Sequence, residues 1–156
     1  MDVQPNDRIL EVGCGPGVAA AEICGLIDGG SLTAIDRSGT AIERAAQRNT
    51  GHIESGRLEL HQTDLAGFDP RSDRFDKAFA VNVNVFWTRD TSDEIATLAE
   101  ALRNDAMVWM IYEAPSRGQV RDVGPRIAAK LERHEFATEL ISGSGGSLLC
   151  VTGRRL

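Results

Sequence analysis

Short apolar runs alternate with stretches of helical hydrophobic spacing along the chain. The runs are bounded by turn residues and predict strands at 9–12, 31–36, 57–64, 75–81, 107–112, 136–141 and 148–152. Helical spacing predicts helices at 18–27, from Thr40 to about 49, from Thr91 to about 102 and from about Pro125 to 132. Capping boxes at Thr40–Glu43 and Thr91–Glu94 mark the starts of the second and third helices. Alternating strands and helices require a parallel sheet that is covered on both faces, with ligands in the crevice at the carboxyl ends of the strands.

The first apolar run breaks into three alternating glycines, Gly13, Gly15 and Gly17. Glycine permits backbone angles that are closed to other residues, and it lets a ligand approach the main chain closely. Helix formers follow at once from Val18, so the glycines should stand at a helix N-terminus. The free N–H groups there suit a carboxylate, a phosphate or the polar edge of a cofactor. A tight strand-to-helix loop without a ligand is the structural alternative.

An acid at the end of the second predicted strand indicates a nucleoside. Asp36 lies 19 positions after Gly17, where a carboxylate can accept hydrogen bonds from both ribose hydroxyls. The glycine spacing is G-x-G-x-G with Val18 next, whereas a dinucleotide fingerprint needs G-x-G-x-x-G. This departure weakens an interpretation as an NAD-binding turn.

The string E-V-G-C-G-P-G resembles the first motif of the class I S-adenosylmethionine-dependent methyltransferases. The resemblance covers essentially the whole chain and implies methyl transfer from S-adenosylmethionine, with S-adenosylhomocysteine as product. It implies that Asp64 accepts from the adenine amine, that the N–H of Leu65 donates to the ring, and that the Asn82 carbonyl meets the cofactor amine. The predicted cofactor-binding residues are Glu11, Gly13, Cys14, Gly15, Gly17, Asp36, Arg37, Asp64, Leu65 and Asn82.

The same resemblance implies a substrate pocket after the fourth strand. We expect Asn84, Phe86 and Trp87 to border it and Tyr112 or Glu113 to face it, with aromatic core packing as the alternative. No catalytic residue is assigned, because holding a reactive methyl group in line with a nucleophile can supply much of the rate. The N-P-P-Y type of motif is absent, which argues against modification of an adenine amine.

The fold class that follows is a three-layer α/β/α sandwich. Its doubly wound, mainly parallel sheet should have seven strands, and the resemblance to the methyltransferases implies an antiparallel last strand that slips between its neighbours. We expect a single Rossmann-like domain over 1–156 that is minimal or lacks the usual N-terminal segment that covers the substrate. Residues 102–106 lack the Pro-Gly-Gly that many relatives carry at this point.

Composition narrows the partners. The 156 residues carry 17 basic and 23 acidic side chains, a net charge of −6, which disfavours nucleic acid and favours a small-molecule acceptor. Cys14, Cys24 and Cys150 have neither disulfide nor zinc spacing, and we predict no metal. No transmembrane run or signal peptide is found, so we expect a cytoplasmic protein without a membrane partner. A homodimer that completes the pocket remains open.

Two other functions remain open at this point. An NAD-binding oxidoreductase would share the fold and Asp36, although Val18 and the missing His, Lys or Tyr-x-x-x-Lys constellation oppose it. A catalytically silent S-adenosylmethionine-binding regulatory subunit would keep the cleft without turnover.

Overall fold

The computed structural model describes residues 1–70, 74–113, 117–143 and 147–156. The strands are β1 Arg8–Val12, β2 Ser31–Asp36, β3 Leu58–Gln62, β4 Phe75–Val81, β5 Leu102–Glu113, β6 Phe136–Ser142 and β7 Leu148–Arg155. The helices are α1 Val18–Leu26, α2 Gly39–Arg48, α3 Thr50–Glu54, α4 Val85–Thr88, α5 Ser92–Ala101 and α6 Arg117–Glu132.

These strands form one sheet in the order β3-β2-β1-β4-β5-β7-β6. The pairs from β3 to β5 are parallel, whereas β7 lies antiparallel between β5 and β6. The predicted fold class is therefore confirmed, including the insertion of the last strand between its neighbours. Strand β3, whose sequence alternates between apolar and polar residues, lies at the sheet edge.

Strand β1 stands where the sheet reverses its direction of growth. It pairs with β2 on one side and with β4 on the other, so the carboxyl ends of three strands meet there. In open α/β sheets the crevice at such a switch point is the usual ligand site. The glycine-rich turn thus begins at the position that the topology favours for binding.

Alternation along the strands divides the core between the two faces of the sheet. Ile9 and Leu32 pack with α1 residues such as Cys24, while Leu10 and Val108 belong to the larger cluster that contains α5 and α6 side chains. All of these side chains are at most 1% exposed. Burial of this apolar surface on both faces holds the three layers together.

Two predicted helix caps differ from the structure. Helix α2 begins at Gly39, and its cap is Ser38, whose hydroxyl accepts from the N–H of Ala41. The predicted capping box at Thr40 is therefore wrong. Thr91 does precede α5, but it makes no side-chain cap hydrogen bond, and its buried hydroxyl has no partner among the described residues.

The predicted helix start near Pro125 is also wrong, because α6 runs from Arg117 to Glu132 with Pro125 inside it. A proline clashes with the side chain of the residue before it in a helix, and here that residue is Gly124. A Cβ at Gly124 would lie 2.6 Å from Leu140 Cδ2, so close packing against β6 favours glycine as well. The short helices α3 and α4 were not predicted, since four or five residues are too few to show a period.

Strand β5 begins five residues earlier than predicted, at Leu102. Its pairing with β4 shifts register between Phe75 and Lys77, and Asp105 takes a left-handed conformation with φ 64°. Asp105 also forms an ion pair of 2.8 Å with Arg154 of β7. Asp105 therefore lies in an irregular part of β5, where its pairing with β4 is interrupted.

A mostly buried ion pair joins the residue just before β1 to β4. The Lys77 ammonium contacts the Asp7 carboxylate, and the two side chains are 15% and 10% exposed. We expect Asp7→Asn to lower the free energy of unfolding by about 3 kcal/mol, because it leaves a mostly buried ammonium without a counter-charge. Urea denaturation measures this loss. Adding Lys77→Met to that variant should restore most of the stability, and purely additive losses would contradict the account.

Candidate functional site

The turn after β1 adopts a backbone that few residues other than glycine tolerate. The φ angles of Gly13, Gly15 and Gly17 are 72°, 52° and 72°. A Cβ at Gly13 would lie 2.6 Å from Val83 Cγ2, so the segment after β4 packs directly on the turn. Conformation therefore favours glycine at all three positions, whereas space requires it at Gly13 and Gly17 but not at Gly15, where no atom lies within 4 Å of a Cβ.

Hydrogen bonds fix the turn to β2. The N–H groups of Gly13 and Cys14 donate to the carbonyl of Ile35 over 2.8 and 3.1 Å. The Gly15 N–H donates to Asp36 Oδ2 over 2.9 Å, and the Ser38 N–H donates to Oδ1 over 2.9 Å. The turn and the Asp36 carboxylate thus form one bonded unit.

Asn49, which sequence reasoning missed, holds the start of α1. Its amide Nδ2 donates to the carbonyls of Gly17 and Ala45 over 3.0 and 2.9 Å, and the residue is 1% exposed. The position a Cβ would take on Gly17 lies 2.6 Å from this nitrogen. An asparagine at the end of α2 carried no sequence signal for this role, because its partners are 32 and 4 residues away.

A cavity of about 260 Å³ opens beside the turn, at the carboxyl ends of β1, β2 and β4. The predicted residues that line it are Gly13, Asp36, Arg37, Asp64, Leu65, Asn82 and Phe86. The residues of its wall that were not predicted include Thr63, Val83, Val85, Arg89 and Glu94. The structure thus brings together parts of the chain from 12 to 94 around one space.

Several predicted residues do not line this cavity. Cys14 is 5% exposed, and burial together with Glu11 and Asp36 raises the pKa of its thiol to about 12, so it is no nucleophile. The Tyr112 hydroxyl donates to the Val83 carbonyl over 2.7 Å, and burial raises its pKa above the usual range. Others that lie off the cavity wall are Glu11, Gly15, Gly17, Asn84 and Trp87.

Two wall residues that were predicted to contact the cofactor, Asp64 at the adenine and Asn82 at the cofactor amine, differ in their bonding. Asp64 Oδ1 accepts from the Gly67 N–H over 2.8 Å, which closes a turn and leaves the second carboxylate oxygen for other partners. Asn82 has φ 56°, and its Oδ1 accepts from the Glu113 N–H over 2.9 Å. This bond holds the end of β4 against β5 while the Asn82 backbone borders the cavity.

A buried acid lies beneath the turn. Glu11 is 3% exposed, and its Oε2 has no hydrogen-bond partner among the described residues. Burial, and then the negative charge of Asp36, raise the pKa of Glu11 to about 8. Burial therefore favours the neutral form of this carboxyl group.

Charged groups that were not predicted line the part of the cavity that is formed by α5 and the segment before it. Arg89 pairs with Glu94 over 2.6 Å, and Glu94 is 7% exposed. Lys130 of α6 donates to the carbonyls of Phe86 and Arg89, the first over 2.9 Å. No sequence pattern indicated that Arg89 and Glu94 line the cavity, because their positions depend on how the short helix α4 folds between β4 and α5.

Other features of the described chain do not add to this site. A hollow of about 400 Å³ lies against the outer strands β2 and β3, lined by polar groups such as Glu59 and His61, away from the glycine turn. No cluster of three or more His, Cys, Asp or Glu side chains within the described ranges could hold a metal ion. None of the helices described is long and apolar enough to span a membrane.

Comparison with known proteins decides the family. Residues 9–105 match the profile of the family described as "Methyltransferase domain". The chain belongs to this methyltransferase-domain family. The resemblance drawn from the sequence is confirmed, and the matched residues include all the predicted cofactor-binding positions.

Curated relatives of this chain are also named as methyltransferases, but the alignments cover only part of each protein. A tRNA1(Val) (adenine(37)-N6)-methyltransferase of Vibrio campbellii is 36% identical over 73 residues, which are 47% of this chain and 30% of that protein. The aligned segments span less than half the length of the curated relatives that this methyltransferase domain matches.

Solved structures share the fold over nearly the whole chain. A SAM-dependent methyltransferase from Aquifex aeolicus superposes with TM-score 0.80 at 13% identity, over 99% of this chain and 85% of that one. The N-methyltransferase NodS of Bradyrhizobium japonicum WM9, solved with S-adenosyl-L-homocysteine, gives 0.72 at 18% identity, over 96% and 78%. At such identities the likeness concerns the fold alone.

The buried acid gives this methyltransferase domain a pH-dependent stability. Because the pKa of Glu11 rises from 4.5 to about 8 on folding, the folded state binds more protons between these values. Its contribution to stability should be complete below about pH 4.5 and be lost as pH rises through about 8. The steepest slope is ~1.4 kcal/mol per pH unit.

Urea denaturation at several pH values measures this slope. The variant Glu11→Gln should lack it, whereas Glu22→Gln, an exposed glutamate on α1, should keep it. Equal slopes in the wild type and in Glu11→Gln would contradict the assignment.

Proposed function

We propose that this domain transfers a methyl group from S-adenosylmethionine to a small-molecule acceptor. The observation that carries the proposal is the cavity in which the glycine turn, the Asp36 carboxylate and the Asp64–Leu65 segment meet. The family match to a methyltransferase domain supports the same reaction.

The residues present fit the cofactor. Gly13 borders the cavity with its main chain, and Val83 packs against it where a Cβ would otherwise lie. Asp36 uses one oxygen for Gly15 and one for Ser38, and each oxygen keeps a further acceptor site, so two ribose hydroxyls could donate to it. Asp64 keeps its Oδ2 for an exocyclic amine, and Leu65 contributes an apolar wall that is 3% exposed.

When bound, S-adenosylmethionine supplies a methyl group on a positively charged sulfur that is already reactive toward nucleophiles. The chain's task is then to bind, orient and exclude water. Asp36 would fix the nucleoside end, and the backbones of Gly13 and of Asn82, which is bonded to Glu113, would position the amino-acid end. Val83 and Phe86 border the space beyond with apolar surface, and Phe86 is 1% exposed.

The acceptor is proposed to be small because of charge. The net charge of −6 opposes a nucleic-acid backbone, although one relative is named as a tRNA methyltransferase. The cytoplasmic location and a homodimer that completes the pocket stay predictions from the sequence.

We predict that S-adenosylhomocysteine binds and that NADH does not. At ~100 times its dissociation constant, the ligand should stabilise the protein by about 2.7 kcal/mol. Asp36→Asn should weaken S-adenosylhomocysteine binding by about 10-fold or more, because charge-assisted hydrogen bonds are lost. Calorimetric titration measures both affinities, and Asp28→Asn, an exposed aspartate after α1, is the matched control with unchanged binding.

Three results would change the proposal. Unchanged affinity in Asp36→Asn would remove the ribose assignment. Binding of NADH in place of S-adenosylhomocysteine would restore the oxidoreductase alternative. Cofactor binding without turnover against a broad acceptor panel would favour a silent regulatory subunit.

A further inference from the structure

A groove that the cofactor assignment does not use runs between α4, the segment after it, and α6. Its volume is about 570 Å³, and we call it the basic groove. Its charged residues are Arg89, Asp90, Arg126, Lys130 and Arg133, and its other lining residues include Trp87, Pro125 and Ala129.

The basic groove is rich in positive charge, although the chain as a whole has a negative net charge. The groove has four basic side chains and one acidic side chain, Asp90, in a chain whose net charge is −6. Arg126 and Arg133 are exposed, and within the described ranges neither side chain has an ion pair or hydrogen bond. Two unpaired guanidinium groups therefore remain free to bind an anion bidentately.

The cations are close enough to affect each other. Burial lowers the pKa of Lys130, and the charges of Arg133 and Arg126 lower it further, whereas Asp90 and Glu94 act in the opposite direction. Like charges held together cost free energy. An anion in the groove would offset that repulsion.

The groove adjoins the cofactor cavity, because Arg89 lines both spaces. Lys130 bonds the carbonyls of Phe86 and Arg89 and so fixes the partition between them. Trp87 adds an aromatic surface to the groove side of this partition. A molecule could therefore be anchored in the groove while another part of it extends past Arg89 into the cavity.

We propose that the basic groove anchors the anionic group of the methyl acceptor, and that the acceptor is a small aromatic molecule carrying a phosphate or a carboxylate. Arg126 and Arg133 bind the anion, and the indole of Trp87 contacts the ring. This assignment rests on the proposed methyltransferase function and adds the acceptor's chemical class to it.

Fluorescence titration tests the proposal with phenyl phosphate and benzoate as probes, in the presence of S-adenosylhomocysteine. We expect one of the probes to bind, with an affinity that falls as salt is added, and the tighter probe identifies the anion. In Arg126→Gln/Arg133→Gln that affinity should fall about 10-fold or more. The control Arg44→Gln removes an exposed cation of α2 and should change nothing.

The two proposals can fail separately. Absence of binding of both probes, or equal binding by wild type and Arg126→Gln/Arg133→Gln, would overturn the groove assignment. The affinity for S-adenosylhomocysteine is measured on the same proteins and should be equal in all of them. If S-adenosylhomocysteine does not bind, that result contradicts the methyltransferase function instead. Binding of a short single-stranded RNA more tightly than either probe would overturn the small-molecule class.

Discussion

The site depends on the left-handed backbone of the turn between β1 and α1. Three positive φ angles at Gly13, Gly15 and Gly17 reverse the chain while its N–H groups bond to Ile35 and Asp36 of β2. A side chain at Gly13 would collide with Val83, and one at Gly17 would collide with Asn49. Without glycine at these points the turn, the start of α1 and the segment after β4 could not pack as they do.

The sheet order converts this local turn into a cavity. Because β1 lies between β2 and β4, the carboxyl ends of the three strands bring Gly13, Asp36 and Asn82 to one edge. The core beneath holds these ends rigidly, since the strands on either side of the turn are buried on both faces. The packing of the core therefore preorganises the site, so a ligand does not have to order it on binding.

The parts of this site that could be predicted have local signals. The glycine spacing, the acid 19 residues later and the Asp64–Leu65 pair each stand at a strand end, so the topology alone brings Gly13, Asp36 and Asp64 to the cavity. Glu11 was predicted to touch the cofactor, but strand alternation directs it away from the cavity wall to the α1 side of the sheet. The place of Glu11 in the motif therefore did not show on which face of the sheet its side chain lies.

The remaining features depend on tertiary contacts that no sequence window contains. Arg89 and Glu94 reach the cavity because the short helix α4 folds back and Lys130, more than 40 residues away, bonds its carbonyls. Pro125 stays inside α6 because Gly124 precedes it and packs on β6. Periodicity describes one element at a time, so it does not detect a contact of this kind.

A crystal structure of this chain with S-adenosylhomocysteine tests the central claim most directly. We predict the ribose hydroxyls on the Asp36 carboxylate, the adenine between Asp64 and Leu65, and the amino-acid end at Gly13 and Asn82. A nucleoside bound instead in the polar hollow against β2 and β3, or with its ribose away from Asp36, would contradict the account.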